Sequence, residues 1–370
     1  MGKRDYSLLG PDATRAVETG LAAAAWYHTD VPRREMKALM QREDGPAIRD
    51  TVILYGCMIV FAGIGIALWP GWWSAPFWLA YGVLYGSASD SRWHECGHGT
   101  AFRTKWMNDV VYQIASFMIM RNAATWRWSH ARHHTDTYIV GRDPEIAVMR
   151  PPQFVKLIGS FLGIPEVIDF VPRIIRNALS GPTPQERTFV PESEWGKVRR
   201  VAQAYCAIYA VTLALALWTG SILPLMVIGL PRVYGAWHHV LTGLLQHGGL
   251  ADNVIDHRLN SRTVLMNPIS RFIYWNMNYH VEHHMFPMVP YHALPRLHEA
   301  IRHDLPAPDT SILSAYRQVW PAFRRQLRHE DYFLKRALPP TAKPYREDLH
   351  RISPGTPVGP ATPPHALPAE

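Results

Sequence analysis

Four long apolar stretches, arranged as two closely spaced pairs, most strongly limit the folds open to this 370-residue chain. The first pair covers residues 51–69 and 72–89 and is divided by a Pro-Gly turn. The second pair covers 202–218 and 222–246 and is divided by a Thr-Gly-Ser turn. A helix of about 20 apolar residues spans the hydrocarbon core of a bilayer. The sequence therefore predicts an all-α integral membrane protein whose four transmembrane helices form two hairpins.

The distribution of basic residues predicts the orientation of these helices. Nearly all Lys and Arg residues lie before residue 51, between 91 and 200, or after 252, and the turns inside the two hairpins contain none. Because cytoplasmic loops are enriched in Lys and Arg, we expect both termini to be cytosolic. Arg232 departs from this pattern, and a lone charge within a span usually faces the bundle interior or extends to the interface.

Composition divides the chain into four predicted units. The predicted units are a cytosolic N-terminal segment (1–49), a membrane domain with a cytosolic helical cap (50–310), a cytosolic helical extension (311–338) and a Pro-rich disordered tail (339–370). The polar N-terminus does not resemble a signal peptide. Two further stretches, 107–120 and 155–178, are predicted to be helices at the membrane surface.

Charge and cysteine content restrict the partners. A net charge of +8 suits nucleic acid, an anionic membrane surface or an acidic protein. No nucleic-acid motif is present in the sequence, which favours the membrane and an acidic redox partner. Cys57, Cys96 and Cys206 have neither metal-finger nor disulfide spacing. For Cys57 and Cys206 the expected state is a buried thiol in a reducing compartment.

Three histidine clusters lie in the regions predicted to be cytosolic. They are His94 with His98; His130 with His133 and His134; and His280 with His283 and His284. Residues three and four apart share one face of a helix, so each cluster directs its imidazoles to one side. Neutral imidazole is a good ligand for iron, zinc and copper. The clusters therefore predict a metal site formed by several helices.

The number of histidines indicates two metal ions. A structural zinc site closes with four ligands, usually including cysteine, and eight histidines exceed one such site. Two ions sharing about nine nitrogens need a ninth ligand, and His247 at the cytosolic end of the fourth span is our choice. His238 and His239, in the same predicted helix, are expected to form local hydrogen bonds, with His239 as the alternative ligand. Glu95 or Glu282 could also approach the metals.

The surroundings of the clusters supply further candidates. Ligating histidines need hydrogen-bond acceptors that fix their tautomer. The candidate acceptors are Asp136, Asp143, Asn276, Asn278 and Asp256. Trp126, Trp128 and Trp275 precede clusters, and anchoring at the membrane interface is favoured for them over lining a substrate channel. The isolated histidines His257, His292, His298 and His303 are expected at the surface.

The clusters and their flanks resemble the membrane fatty acid desaturase family, which has H-x-x-x-H, H-x-x-H-H and H-x-x-H-H boxes. The likeness covers about residues 45–310 and is strongest over 275–295, where the third box is followed by Met-Phe-Pro and two further prolines. The wider third-box region also resembles bacterial members that act on small amphiphilic metabolites or form terminal alkenes.

The resemblance implies a non-haem di-iron centre held by the box histidines, with O2 as co-substrate and two electrons from a separate ferredoxin-like or other electron-transfer protein. The expected substrate is an acyl or lipid-like chain, reached through a narrow apolar tunnel. The expected location is a bacterial inner membrane with the site facing the cytosol. A basic surface, Arg121, Arg127, Arg132, Lys197, Arg199 and Arg200, is a candidate docking face for the electron donor.

Two other classes of function remain open from sequence. A di-iron hydroxylase or decarboxylase would use the same boxes, because the reaction paths separate only after the first hydrogen is removed. A non-redox membrane protein, such as a zinc hydrolase or a metal transporter, is disfavoured. A zinc hydrolase needs only about three histidines, and a transporter places its ligands at the middle of the bilayer.

Overall fold

The protein, described here by a computed structural model covering residues 4–348, is helical, and these residues form no β-strand. Two isolated bridges join Thr263 to Tyr279 and Val264 to Asp309. The first nine helices are α1 (Pro11–Glu18), α2 (Arg33–Leu39), α3 (Asp44–Ala67), α4 (Ala75–Val83), α5 (Ser89–His98), α6 (Lys105–Met118), α7 (Ala123–Thr135), α8 (Phe154–Ser160) and α9 (Ile164–Ser180).

The second half of the chain contains nine more helices. They are α10 (Trp195–Thr219), α11 (Leu223–Val227), α12 (Pro231–Gly235), α13 (Trp237–His247), α14 (His257–Asn260), α15 (Pro268–Tyr274), α16 (His280–Met285), α17 (Leu294–Ile301) and α18 (Ile312–Gln326). Single 3₁₀ turns occur at Leu21–Ala23, Trp72–Ser74, Glu186–Thr188, Glu192–Glu194 and Arg302–Asp304. The all-α class predicted from the sequence is confirmed.

The first predicted hairpin is α3 followed by α4 and α5. The Pro-Gly turn ends α3, and a 3₁₀ turn leads into α4. A π-helical turn, Leu84–Ala88, joins α4 to α5, so this second arm runs on beyond its predicted end at residue 89 to His98. The extension places the first histidine cluster in the last turns of the same arm.

The second predicted hairpin is α10 followed by α11, α12 and α13. Gly220 ends α10 with a positive φ of 60°, in the left-handed region that glycine adopts without strain. The fourth apolar stretch is not one helix, because Pro231 begins the short helix α12 and α13 starts again at Trp237. The interruption that the sequence predicts at this proline is therefore present.

The two hairpins pack against each other where α12 crosses α4. A Cβ atom placed on Gly235 would lie only 1.8 Å from the carbonyl oxygen of Gly82. Only glycine, whose side chain is a single hydrogen atom, fits at position 235 in this crossing. The close approach brings α13, which follows directly, alongside the π-helical turn, where the Ser87 hydroxyl donates to the Gly235 carbonyl and accepts from the His239 amide.

Two helical stretches, Arg33–Ala67 and Glu192–Thr219, are long and apolar enough to cross a membrane. Many large apolar side chains on α3 and α10 are exposed, including Ile59 and Leu217. Trp72, Trp73 and Trp218, beside the turns within the hairpins, are more than 80% exposed. Outward-facing apolar side chains with tryptophans at the helix ends are typical of proteins in contact with lipid.

The part of the fold outside the hairpins surrounds the end of α5. Arg92 is fully buried and donates to the carbonyl oxygens of Phe272 and Ile273, which attaches α5 to α15. Trp275, also buried, donates from Nε1 to Asp50 and stacks on Tyr291. The predicted surface stretches form α6, α8 and α9, and α9 exposes apolar side chains such as Ile168 and Leu179.

The region after residue 310 begins with α18, inside the predicted helical extension. Residues 339–348, the start of the predicted Pro-rich tail, form no helix and lie against the body of the protein. The Arg258 guanidinium donates to the carbonyl oxygens of Lys343 and Pro344 and faces the Tyr345 ring. The rest of the predicted tail, 349–370, lies outside the described residues.

Candidate metal centre

The first histidine pair lies at the end of α5. His94 and His98 are one turn apart on one face, and the helix ends at Gly99, whose φ of +69° is left-handed. Both ring nitrogens of His94 are buried and have no hydrogen-bond partner in the described part of the chain. A buried polar atom without a partner is costly, so these nitrogens are available to a ligand.

The second cluster lies on α7. Asn122 caps the first turn by accepting from the amides of Ala124 and Thr125. His133 and His134 follow His130 by three and four residues, so all three rings lie near the face of α5. The ring of His130 is 4.3 Å from that of His94, measured between centroids.

The third cluster occupies the six-residue helix α16, and His247 joins it from the last position of α13. The Nε2 atoms of His247 and His280 are 3.0 Å apart, and those of His280 and His284 are also 3.0 Å apart. His247, chosen from the sequence as the additional ligand, thus lies with the cluster histidines, whereas His239 does not.

All nine predicted ligands come together in two groups whose ligand atoms lie within 4.8 Å of one another. The five-histidine group is His94, His98, His130, His134 and His283. The four-histidine group is His133, His247, His280 and His284. In the five-histidine group, Nε2 of His130 lies 3.1 Å from that of His98 and 3.2 Å from that of His134.

Hydrogen bonds at Nδ1 direct the opposite nitrogen of several rings towards the group centres. Nδ1 of His247 donates to the carbonyl oxygen of Asn260 at 2.7 Å. Nδ1 of His133 is 2.9 Å from Asp143 Oδ2, and Nδ1 of His130 is 3.1 Å from Glu145 Oε2. Each acceptor fixes the tautomer with a bare Nε2.

The resulting donor set fits metal ions. Bare Nε2 atoms about 3 Å apart repel each other unless a cation lies between them, and ligands at right angles on bonds of about 2.1 Å have this spacing. Among residues 4–348, neither group includes a cysteine or a carboxylate. All-imidazole sets suit zinc, copper and iron, so the residues present can hold the iron pair that the resemblance implies.

Burial favours the neutral form of these rings. It lowers the pKa of His98 to about 4 and lowers the pKa of His94, His130 and His247 well below 6.5. Burial opposes the charge on His133 too, but the neighbouring Asp143 outweighs it and raises that pKa. Neutral imidazole is the form that binds metal.

The two glutamates inside the clusters face other partners. Glu95 accepts from the Thr100 hydroxyl and the Tyr291 amide, and burial raises its pKa to about 7. Glu282 accepts from Thr263 and contacts His298. In the described residues neither carboxylate belongs to a histidine group.

Outside the two groups, the sequence expectations for single histidines were partly wrong. His238 forms a hydrogen bond with Ser270, as expected, and Nδ1 of His239 lies 3.0 Å from Oδ2 of Asp90. His257 and His298, expected at the surface, are buried. His257 stacks on Trp26, and His298 contacts Glu282, so each is covered by a residue that spacing alone does not reveal.

Of the five acceptors proposed from the sequence, only Asp143 contacts a cluster histidine. Asp136 pairs with Arg142, and Asp256 with Arg258. The two asparagines bond to backbone carbonyl groups elsewhere. Sequence reasoning missed Glu145, which follows Asp143 by two residues, and that spacing was the available signal.

A cavity of about 480 Å³ opens beside the two groups. Its lining includes His94, His130, His247 and His280 at one end. The sequence predicted a narrow apolar tunnel, but charged side chains also line this space, among them Asp90, Arg121, Glu166 and Arg232. The prediction was wrong in this respect because buried polar side chains from α5, α9 and α12 meet here.

Arg121, predicted to lie on a basic docking face, lines this cavity. Its guanidinium carbon lies 4.3 Å from the ring centroid of Trp93 and 4.4 Å from that of Trp126, and it pairs with Asp90 at 2.8 Å. Trp126 therefore contributes to the cavity, and Trp275 is buried in the core, although interface anchoring was expected for both.

Comparison with known proteins gives one family match. The model of the fatty acid desaturase family matches residues 67–316, which include all nine grouped histidines. The chain is 27% identical over 253 residues to a probable fatty acid desaturase of Sorghum bicolor, an alignment covering 62% of each chain.

Two Arabidopsis thaliana proteins give similar alignments. An endoplasmic-reticulum acyl-lipid omega-3 desaturase, named as cytochrome b5-dependent, is 24% identical over 64% of each chain. A chloroplastic sn-2 acyl-lipid omega-3 desaturase, named as ferredoxin-dependent, is 24% identical over 69% of this chain and 61% of its own. The chain thus matches a little under two thirds of the length of these relatives.

Proposed function

This chain belongs to the fatty acid desaturase family, and we propose that it is an O2-dependent di-iron desaturase of an acyl or lipid-like chain. The observation that carries the proposal is the convergence of nine histidines from four helices into a five-histidine and a four-histidine group. One closed zinc site would use four of them. Two ions use all nine.

The reaction removes two hydrogens from neighbouring carbons and leaves a double bond. With two electrons and two protons supplied from outside, O2 and these two hydrogens become two molecules of water. The iron pair, held by the nine histidines, would supply the oxidising power for C–H cleavage that no side chain has.

The residues of the chain contribute position and protection. Asp143, Glu145 and the carbonyl group of Asn260 hold their histidines in the tautomer that ligation requires. The cavity beside the groups gives the substrate a place next to His94 and His280. Seven of the nine histidines are buried and the other two are partly buried, which keeps bulk water from the reacting centre.

We further propose that the chain is integral to a membrane, with four spans at about residues 51–69, 72–89, 202–218 and 222–246. The two apolar helical stretches and the exposed tryptophans beside the hairpin turns support this arrangement. The predominance of basic residues at the histidine-bearing ends supports a cytosolic site, as in a bacterial inner membrane. A separate ferredoxin-like or similar protein would deliver the electrons, a proposal supported by the relatives whose names include cytochrome b5 or ferredoxin.

Purification of the full chain with its bound metal tests the proposal. We expect about two irons per chain and, in mass spectrometry of lipids and small metabolites, an O2-dependent product two hydrogens lighter than its precursor. Alanine at any one of the eight cluster histidines should abolish turnover and lower bound iron. Full activity in two such variants refutes the di-iron site, whereas an inserted oxygen or a lost carbon refutes desaturation.

A further inference from the structure

A buried arginine lines the cavity beside the histidine groups and has no ion-pair partner among residues 4–348. Arg232 is only 2% exposed, and its Nη1 donates to the carbonyl oxygen of Gly86 at 2.7 Å. Its Nε is buried without a hydrogen-bond partner, and no carboxylate of the described residues lies within 4.0 Å of the guanidinium. A buried, unpaired cation is costly, so an anionic ligand would remove a penalty that the protein otherwise carries.

No carboxylate of the described residues forms an ion pair with this arginine. Asp90 pairs with Arg121 at 2.8 Å and with His239 at 3.0 Å. Glu166 also lines the cavity and forms no ion pair in the described chain, and its Oε2 is buried without a hydrogen-bond partner. Asp90 and Glu166 attract Arg232 from a distance, but neither accepts a hydrogen bond from its guanidinium, as the carboxylate of a ligand would.

The position of the cavity connects Arg232 with the proposed reaction. Asp90 precedes His94 by four residues on α5, which is about 6 Å along a helix. Both side chains line the same space as Arg232. A molecule held at the arginine can therefore extend past Asp90 towards the histidines. The volume of about 480 Å³ lies within the range of small-molecule sites, about 300–1,000 Å³.

From these observations we propose that the substrate is a free carboxylic acid whose carboxylate is bound by Arg232. The planar guanidinium forms paired hydrogen bonds with a carboxylate, a geometry that an alcohol or an amine does not match. The alkyl part of the acid then lies against the histidine groups. The inference rests on the proposed function only in treating this cavity as the substrate site.

Calorimetric titration of the full, metal-loaded chain in detergent tests the proposal with three eight-carbon probes: octanoate, octanol and octylamine. Micelles without protein provide the blank. We expect octanoate to bind at least about tenfold more tightly than octanol, the difference typical of a charged hydrogen-bond pair. Arg232→Gln should remove this preference and Arg232→Lys should retain part of it.

Arg173→Gln is the matched control. Arg173 lines the same cavity but is already paired with Asp169 on its own helix. The control should keep the wild-type preference. Equal binding of octanoate and octanol by the wild type, a preference for octylamine, or an unchanged preference in Arg232→Gln overturns the proposal. If Arg232→Gln fails to fold, as judged by its melting temperature and iron content, the wild-type probes and Arg232→Lys still decide.

Binding and turnover separate this inference from the proposed function. Tight octanoate binding that depends on Arg232, without any unsaturated product from longer acids, supports the carboxylate site and refutes desaturation. Desaturation of an esterified lipid without selective carboxylate binding supports the proposed function and refutes the site.

Discussion

We expect metal binding to be most sensitive to the replacement of a single side-chain atom at Asp143. One carboxylate oxygen, Oδ2, is 2.9 Å from Nδ1 of His133 and accepts from the Tyr138 amide at 2.7 Å. The other, Oδ1, accepts from the Glu145 amide at 2.8 Å. Asp143→Asn keeps the size of the side chain but turns one of these two acceptors into a donor.

Either orientation of the new amide sets one N–H group against another. If the NH₂ group faces His133, that ring must move its proton to Nε2 and can no longer ligate. If it faces the Glu145 amide, the glutamate that holds His130 is displaced. Loss of such an acceptor typically lowers metal affinity about 10- to 100-fold, or about 1.4–2.7 kcal/mol.

Competition with a chelator measures this effect. Iron retained per chain is followed as the chelator concentration rises, and the Asp143→Asn curve should shift by one to two decades, as that range implies. Asp136→Asn is the control, because Asp136 lies in the same segment but pairs with Arg142 and contacts no grouped histidine. Coincident curves for wild type and Asp143→Asn, or an equal shift in the control, refute the reasoning.

Three further changes test other parts of the structure. His247→Ala should lower bound iron and abolish turnover, whereas His239→Ala should leave iron content unchanged, since His239 lies outside both groups; the reverse result exchanges their roles. In the metal-free chain, the lowered pKa of His98 makes protonation unfavourable in the folded state. The neutral His98 ring therefore makes its full contribution to the free energy of unfolding above pH 6.5. About 3 kcal/mol of this contribution is lost as the pH falls towards 4. A melting temperature that does not change from pH 7 to 4 contradicts this. Gly235→Ala should destabilise the chain by about 1–3 kcal/mol through overpacking at the helix crossing, while Gly63→Ala, which meets no atom within 4 Å, should not lower the melting temperature.

Sequence spacing was informative where the structure depends on local geometry. The three clusters lie on single helices, so i, i+3 and i+4 positions were enough to predict that their rings converge. His247 could be selected because it ends the fourth apolar stretch at the depth of the other histidines. The break before α13 followed from Pro231, whose ring and missing N–H interrupt a helix.

The remaining features depend on contacts between distant segments. Arg121 looked like a surface residue because its sequence neighbourhood is basic, yet two tryptophans from different helices enclose it. His257 is covered by Trp26, more than 200 residues earlier in the chain. The polar lining of the cavity arises where α5, α9 and α12 meet, and no periodicity within one segment predicts it.

The division of the histidines between the two groups has a consequence for how the site fills. Helix α7 gives His130 and His134 to the five-histidine group and His133 to the four-histidine group, and α16 is likewise shared. An ion bound by one group therefore fixes the two helices that the other group needs. Loading should be cooperative: with one equivalent of metal, native mass spectrometry should find mainly empty and doubly occupied chains, and few that carry a single ion.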